Sequence, residues 1–458
     1  MFQRMMASIE RHRMFRQGDR VGVAVSGGAD SVCLLHEMLE VALEWKLELS
    51  VIHVNHHLRG EASNEDAEFV RALAGKLGLP FTLCELDLSG AAGNLEGNAR
   101  DARLAFFHEQ LVTGAVSRIA LGHTRSDQAE TVLFRFLRGS GATGLAAIRP
   151  VTADGIVRPL IELDRAQVEG YLRERGIPWR EDSTNAARDF ARNRIRHELL
   201  PQLKREWNPG LTETLAHTAD ISLAEEEYWQ GEIGRLAERH FRRDGSAVLV
   251  SAAALTELPL AVGRRLVRYG VELVSGDTRG LGFDHVTRVL ELAGRSRGSG
   301  RVQLPGLEVV RSFDEIRLGF VPEAKLFTLD VSVPGRTCIP GTNLCISLEM
   351  IENPETLSSS DHVYNSQMGC IDWNRLSGPL KLRNWQPGDQ YHPVGVPAAT
   401  KIKTLFQQAR IPVWERTQWP VLTDAESIIW TRRFGAATAV AAGADSEKIL
   451  AVSEVEFR

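Results

Sequence analysis

Six consecutive residues, Ser26, Gly27, Gly28, Ala29, Asp30 and Ser31, sit between an apolar run at 21–25 and an amphipathic stretch at 31–39. This order predicts a buried strand, a tight turn and a helix. Gly27 and Gly28 let the backbone take positive φ and pass close to a ligand. Free N–H groups at the helix start face outward, where the helix dipole favours an anion. The hydroxyls of Ser26 and Ser31 can donate to phosphate oxygens, and the Asp30 carboxylate suits a magnesium ion or a ligand hydroxyl. No lysine follows, so this is not the G-x-x-x-x-G-K-[ST] mononucleotide loop. An ordinary glycine turn explains the glycines but not the acid and hydroxyls in register with them.

A second set lies at 122–141, GHTRSDQAETVLFRFLRGSG. On a helix Asp127 and Glu130 stand three apart and share a face. Two carboxylates so placed repel unless a cation sits between them, which suits a magnesium ion or a substrate ammonium. A solvated helical face is the plainer alternative, but the position after a fourth strand favours the cation site. Residues 139–144 (GSGATG) form a loop able to close over a ligand. HVNHHLR at 53–59 lacks a third metal ligand at useful spacing, so hydrogen bonding to nucleotide or neighbouring loops is the better reading. His53 and His123 join the nucleotide-contacting set with Ser26 to Ser31.

Three arginine-bearing segments remain. Glu96, Arg100 and Arg103 share one helix face, fit for phosphate or carboxylate or for an exposed ion-pair ladder. Arg188, Arg192, Arg194 and Arg196, beside Asn185 and Asn193, concentrate positive charge suited to RNA phosphates and base edges. Ile195, Leu199 and Leu200 form a core stripe within the same run. Near the end, Lys381, Arg383, Lys401, Lys403, Arg410 and Arg416 interleave with Trp385, Tyr391 and Trp414. That mixture suits RNA stacking, or equally a β module with aromatics in its core.

The elements that position these residues follow from the periodicity. Strands are expected at 21–25, 48–55, 80–86 and 118–122, and helices at 31–44, 63–77, 94–112 and 125–138. Such alternation implies an α/β, doubly wound parallel sheet with ligands outside the carboxyl ends of its strands. The expected organisation is a catalytic domain at 1–215, a helical middle domain at 216–320 ending in a hairpin (VQLPGLEVVRS), connecting β structure and linker at 321–372, and a small, mainly β C-terminal domain at 373–458 with a helix near 401–409. A chain of 458 residues, 43% hydrophobic and 25% charged, has room for two or three cores. Its net charge of -5 excludes a generic nucleic-acid binder unless the charge is local. Five scattered cysteines without C-x-x-C read as buried or incidental thiols in a reducing cytoplasm. The N-terminal stretch has no apolar core, so neither a signal peptide, a membrane span nor a membrane partner is expected.

Taken in order, SGGADS (26–31), HVNHHLR (53–59), NLEGNARDAR (94–103), GHTRSDQAET (122–131), RNRIRHELLP (192–201) and KIKTLF (401–406) resemble the bacterial tRNA(Ile)-lysidine synthetase family, within the PP-loop ATP pyrophosphatases. The resemblance covers nearly the whole chain. It implies an AMP- and diphosphate-forming ligase that uses ATP and Mg²⁺. The enzyme would adenylate the wobble cytidine of the CAU-anticodon isoleucine tRNA at C2, then displace AMP with free L-lysine, so that the tRNA reads AUA rather than AUG. On this resemblance Asp30, Asp127, Glu130, Arg100 and Arg103 are catalytic, and Asp30 and Asp127 hold metal. Arg188, Arg192, Asn193, Arg194, Arg196, Lys401 and Lys403 touch tRNA, and a homodimer is allowed. The chain departs from the family pattern at Thr124, usually histidine, and at Ser126, usually an acid. After Gly395 it has Val-Pro-Ala-Ala-Thr in place of glycine and basic residues. The rival readings are another PP-loop AMP-forming enzyme, a tRNA thiolation enzyme or a small-molecule amidotransferase, and a non-enzymatic RNA-binding protein on a degenerate nucleotide fold.

Overall fold

A computed structural model describes residues 1–57, 60–86, 95–181, 191–296, 298–320, 325–352, 368–425 and 427–456. Strands β1 (Arg20–Ala24), β2 (Glu48–Asn55), β3 (Phe81–Glu85), β4 (Arg118–Ala120) and β5 (Ile156–Val157) pair in the order β3-β2-β1-β4-β5, every pair parallel. The expected doubly wound sheet is therefore present, with one short strand more than the periodicity announces. Helix α1 (Phe2–Arg11) precedes them, and between and after them run α2 (Ala29–Trp45), α3 (Glu61–Lys76), α4 (Leu95–Val112), α5 (Arg125–Leu137), α6 (Ala142–Leu145) and α7 (Arg165–Glu174). Next come α8 (Ala191–Arg194), a π-helical turn (Ile195–Leu199), α9 (Leu200–Glu206) and α10 (Leu211–His240).

Alternation along the strands divides the core between the two sheet faces. Val21, Val23 and Val51 pack with Ile9, Leu34, Leu35, Val70 and Leu172. Ile52, on the opposite face, packs with Phe107, Val116, Ile119 and Ile156. Because β1 lies between β2 and β4, the chain reverses direction across the sheet at the end of β1, where a doubly wound fold opens its ligand crevice. Residues 26–31 begin at that point.

The chain divides into two compact units, Met1–Gly231 and Glu232–Arg458. In the second, β6 (Phe241–Asp244), β7 (Ala247–Ser251), β8 (Gly300–Leu304), β9 (Leu307–Ser312) and β10 (Glu315–Gly319) form an antiparallel sheet ordered β6-β7-β10-β9-β8. It accompanies α11 (Ala252–Thr256), α12 (Leu260–Ser275) and α13 (Phe283–Gly294), and the expected hairpin is β8–β9. The helical middle region thus carries a sheet that helical periodicity did not reveal.

Further on, β11 (Thr328–Asp330), β12 (Gly335–Cys338), β13 (Leu344–Ile351), β14 (Met368–Asp372), β15 (Leu380–Asn384), β16 (Gln390–Tyr391), β17 (Thr400–Lys401), β18 (Pro420–Asp424), β19 (Ser427–Thr431), β20 (Gly435–Ala436) and β21 (Ile449–Glu456) build the β module. Its two larger sheets run β11-β15-β18-β19-β20 and β12-β13-β21-β14, and the expected helix is α14 (Ile402–Gln408). The reading of all five cysteines as thiols needs correction. Cys338 and Cys345 lie opposite each other in the β12–β13 hairpin and are disulfide-bonded. Strand register brings them together, and register is not visible in their spacing. Among the described residues, no helix is long and apolar enough to cross a membrane.

Candidate active site

The loop after β1 is shaped by its own hydroxyls. Ser31 Oγ donates to the Gly28 carbonyl at 2.9 Å, accepts from the Ser26 N–H at 3.1 Å and lies 3.2 Å from Ser26 Oγ. Gly28 starts α2 without a side-chain cap, which leaves first-turn N–H groups available to an anion. Gly27 takes φ +94°, a conformation that glycine supplies without strain. A Cβ on Gly122, just beyond β4, would stand 2.9 Å from the Asp30 carbonyl, so glycine there lets the end of β4 approach the first turn of α2. Arg180 donates its N–H to the Gly27 carbonyl at 2.9 Å and grips Asp66 and Glu65 of α3 at 2.8 and 2.7 Å. It tethers the loop to α3, a role that sequence reasoning missed.

Asp30 faces Arg165 at 3.8 Å, and its Oδ1 is buried without a hydrogen-bond partner. Burial pushes the carboxyl up to about 6; Arg165 opposes that rise and Asp127 adds to it. A hard, charge-seeking oxygen beside a phosphate cradle fits a magnesium ion bound together with ATP.

Asp127 and Glu130 lie on α5, buried at 8% and 2% exposure. Asp127 Oδ2 accepts from the Thr124 N–H and hydroxyl, both at 2.9 Å, and its Oδ1 accepts from Arg196 Nη2 at 3.0 Å. Burial pushes the Asp127 carboxyl up, but His123, then Thr124, Arg196 and Arg192, together outweigh it and hold it below the usual range. Both Asp127 oxygens are thereby engaged, so of the two expected metal ligands Asp30 is the one whose donor is free. Glu130 Oε1 accepts from Arg196 Nε at 2.6 Å. Its Oε2 is buried without a hydrogen bond, 3.5 Å from Arg192 Nε. The cation that two carboxylates on one face require is here a pair of arginines from the segment read as an RNA footprint.

The remaining site residues distribute as follows. His53, buried, hydrogen-bonds through Nδ1 to the Val25 carbonyl at 2.7 Å and so props the strand end that precedes the 26–31 loop. His123 Nδ1 accepts from Arg158 Nε at 3.1 Å, and burial, then Arg158, push its ring down to about 3. Sequence reasoning missed Arg158 because β5, which carries it to the crevice, is only two residues long. Arg100 is exposed, whereas Arg103 Nε is buried and unpartnered. Arg194 is exposed and Asn193 half-buried, while Arg188 and Asn185 lie outside the described residues. The 139–144 loop contains α6, pinned by Arg135 Nη1 to the Gly144 and Ala147 carbonyls, both at 3.0 Å. Thr143 adds a hydrogen bond to Glu226 at 3.0 Å.

In the second unit, Tyr391 and Trp414 are core residues, and Trp385 meets Phe406 edge-on with centroids 5.2 Å apart. Arg383 is closed on Asp389 at 2.8 and 3.0 Å, and Arg410 on Asp314. Lys401 and Lys403 remain exposed. Tyr391 and Trp385 therefore build the module's core, and Trp414 packs on Leu249 and Val310 of the β6–β10 sheet.

Residues 1–203 match the PP-loop domain, 251–316 the TilS substrate binding domain and 380–452 the TilS substrate C-terminal domain. The chain is 60% identical over 445 residues to the tRNA(Ile)-lysidine synthase of Solibacter usitatus, across 97% of this chain and 100% of that one. It is 39% identical to the like-named protein of Symbiobacterium thermophilum, across 94% of this chain and 92% of that one. The Geobacter sulfurreducens protein of that name is 37% identical, across 92% and 89%.

Proposed function

This chain belongs to the tRNA(Ile)-lysidine synthase family and is an ATP-using, lysidine-forming enzyme, and we propose on that premise how its crevice performs the reaction. The C2 carbonyl oxygen of the wobble cytidine, in the CAU anticodon of an isoleucine tRNA, attacks the α-phosphorus of ATP. The α–β anhydride breaks and pyrophosphate leaves. The ε-amine of free L-lysine then attacks C2, the C2–O bond breaks, and AMP departs with that oxygen. Tenancy of tRNA, ATP and lysine in one compartment makes the cytoplasm the site of action.

Ser26 to Ser31 and the uncapped start of α2 hold the departing pyrophosphate. Asp30 holds Mg²⁺, which when bound neutralises charge on the phosphates. Lysine arrives as an ammonium and must lose a proton before it can attack. Asp127, kept ionised by Thr124 and Arg196, orients the ammonium, and Glu130 Oε2 accepts the proton. That buried oxygen, which accepts no hydrogen bond and only an ion pair at 3.5 Å from Arg192, beside a fixed carboxylate, is the observation that carries the reading. Arg192 and Arg196 hold the acids together until substrate enters. Lys401 and Lys403 contact tRNA phosphates. Thiolation is not favoured: Cys33 is buried within α2, and burial pushes the thiols of Cys33 and Cys84 up, away from reactivity.

The test is incubation with ATP, Mg²⁺, labelled lysine and a CAU-anticodon isoleucine tRNA transcript. Label appears on the RNA and is lost when the wobble cytidine is replaced. ATP turnover to AMP without label on the RNA would end the lysidine reading and keep only the PP-loop one.

A further inference from the structure

The turn between β9 and β10 is built around one aromatic ring. Phe313 takes φ +54°, a left-handed conformation that an aromatic residue seldom adopts. The chain thus keeps a half-buried ring where glycine would sit with less strain. Two guanidiniums of the C-terminal module lie over that ring, Arg410 Cζ at 5.0 Å and Arg416 Cζ at 5.7 Å from its centroid, within cation–π range. Arg416 also stands 5.4 Å from the Phe406 centroid, so it bridges the turn to the aromatic core of the module. Its Nε and Nη2 both donate to the Ile411 carbonyl, which fixes the guanidinium in place.

Contacts on either side extend this joint. Ser312 Oγ accepts from the Val413 N–H at 3.1 Å, and Trp414 packs on Leu249 of β7 and Val310 of β9. The Asp314 carboxylate meets Arg410, but that pair is exposed and adds little; the indole and the ring carry the contact. The turn lies in the segment that matches the substrate binding domain, and both arginines lie in the segment that matches the C-terminal domain. The docked stretch, 410–416, follows α14 with only Ala409 between them. The exposed Lys403 stands in the first turn of α14, and Lys401 just before it. A sheet that holds 410–416 therefore also holds those two lysines.

We propose that Phe313, clasped by Arg410 and Arg416, is a positioning residue for the RNA substrate: it fixes the spacing between the substrate-binding sheet and Lys401 and Lys403, so that both meet one tRNA together. The inference rests on the reading that those lysines contact tRNA phosphates. Two contacts held at a fixed spacing outdo the same two joined loosely, because the second engages at a high effective concentration. A fixed spacing also disfavours an RNA whose backbone does not match it, which makes the joint a determinant of specificity.

Affinity for the full-length CAU-anticodon isoleucine tRNA and for its isolated anticodon stem-loop is measured with the intact protein, Phe313→Gly and Phe313→Tyr. Lysine incorporation is followed in parallel at varied tRNA concentration. Phe313→Gly, which suits the positive φ, weakens full-length tRNA by roughly tenfold or more and raises its KM to match, while kcat and stem-loop affinity hold. Phe313→Tyr keeps the π face and restores the parent values. In a protein that already carries Lys401→Ala and Lys403→Ala, Phe313→Gly costs about twofold further at most, because the joint then has no lysines to place. Unchanged tRNA affinity in Phe313→Gly overturns the proposal, as do equal loss of tRNA and stem-loop, a fall in kcat alone, and an undiminished loss in the lysine-free background. Should Phe313→Gly fail to fold, Asp314→Arg, which sets a third cation beside Arg410 and Arg416, must give the same split between tRNA and stem-loop. Adding Arg410→Asp must then reverse it, and failure of either result also overturns the joint. Parent-like tRNA binding by the lysine variant alone would sink the lysine reading and the joint with it. A weakened lysine variant beside a parent-like Phe313→Gly would sink only the joint.

Discussion

The crevice of the parallel sheet and the β module at 380–436 both combine arginine with buried groups, and they use it in opposite ways. In the module, Arg383 closes on Asp389, and Arg416 donates from Nε and Nη2 to the Ile411 carbonyl at 2.9 and 2.6 Å. Phe406 is enclosed by Trp385, Trp419 and Phe434. Among the described residues of that module, no buried side-chain polar atom lacks a partner. The crevice leaves Asp30 Oδ1, Glu130 Oε2 and Arg103 Nε without a hydrogen bond. Each such atom costs about 1–3 kcal/mol, a cost that a bound ligand offsets. Ser8, His36 and Glu37 on α1 and α2 also hold unpaired atoms, so unsatisfied burial indicates a site only together with a strand-end position. The comparison teaches that the same residue types mark chemistry where they are left incomplete and scaffold where they are completed.

The sharpest way to break this contrast is to replace the crevice carboxylate whose Oε2 accepts no hydrogen bond. Glu130→Gln lowers the initial rate of lysine incorporation by about 10²–10⁴, the range for loss of a general base. Pyrophosphate release in the first step persists, which separates proton acceptance from adenylation. Equal loss of both steps would return Glu130 to a purely structural role. The matching change in the module is Phe406→Ala, which costs about 3–5 kcal/mol of stability as a buried aromatic deletion. Chemical denaturation reads that cost, and pyrophosphate affinity in the first unit stays as it was.

Asp30 ties stability to function with a definite sign. Its folded carboxyl is raised from 3.8 to about 6, so the fold binds more protons than the unfolded chain between those values. Stability from this group is therefore present below pH 4 and lost as pH rises through about 6, by about 3 kcal/mol at most. Asp30→Asn removes that loss: the variant matches the parent at pH 4, exceeds it at pH 8, and is inactive. Denaturation at the two pH values checks this, and a parent whose stability rises over the interval contradicts it.

These outcomes bear on how much was legible beforehand. The strand–turn–helix at 21–39 could be read because apolar runs, glycines and a lone acid coincide, and the sheet follows from alternation. Asp127 and Glu130 were visible as a pair, since three-residue spacing on a helix is local geometry. Their partners were not: Arg192 and Arg196 come from 65 and 66 residues further on, and only folding brings them in. Arg158 was hidden by the brevity of β5, and the Cys338–Cys345 bond by strand register. The interleaved aromatics near the end carried an ambiguity that burial decides, because Tyr391 and Trp414 have the same spacing whether they stack on bases or pack into apolar clusters.

The same ambiguity sets the last and smallest expected effect. Once the aromatics are assigned to the core, and Arg383 and Arg410 to Asp389 and Asp314, the exposed cations left from that pattern include Lys401 and Lys403 on β17 and α14. Phosphate contacts by such lysines are point-charge interactions, sequence-independent and screened by salt. Replacing both by alanine should weaken tRNA binding at low salt and reduce the slope of log affinity against log salt by roughly two. Stability should stay within about 0.5 kcal/mol, as for exposed substitutions generally, and ATP turnover at saturating tRNA should not move. A changed slope with unchanged stability places these lysines on the RNA and makes the module a scaffold with a charged edge. An unchanged slope would mean that the module contributes shape alone, and that the charge which meets the RNA lies in the crevice.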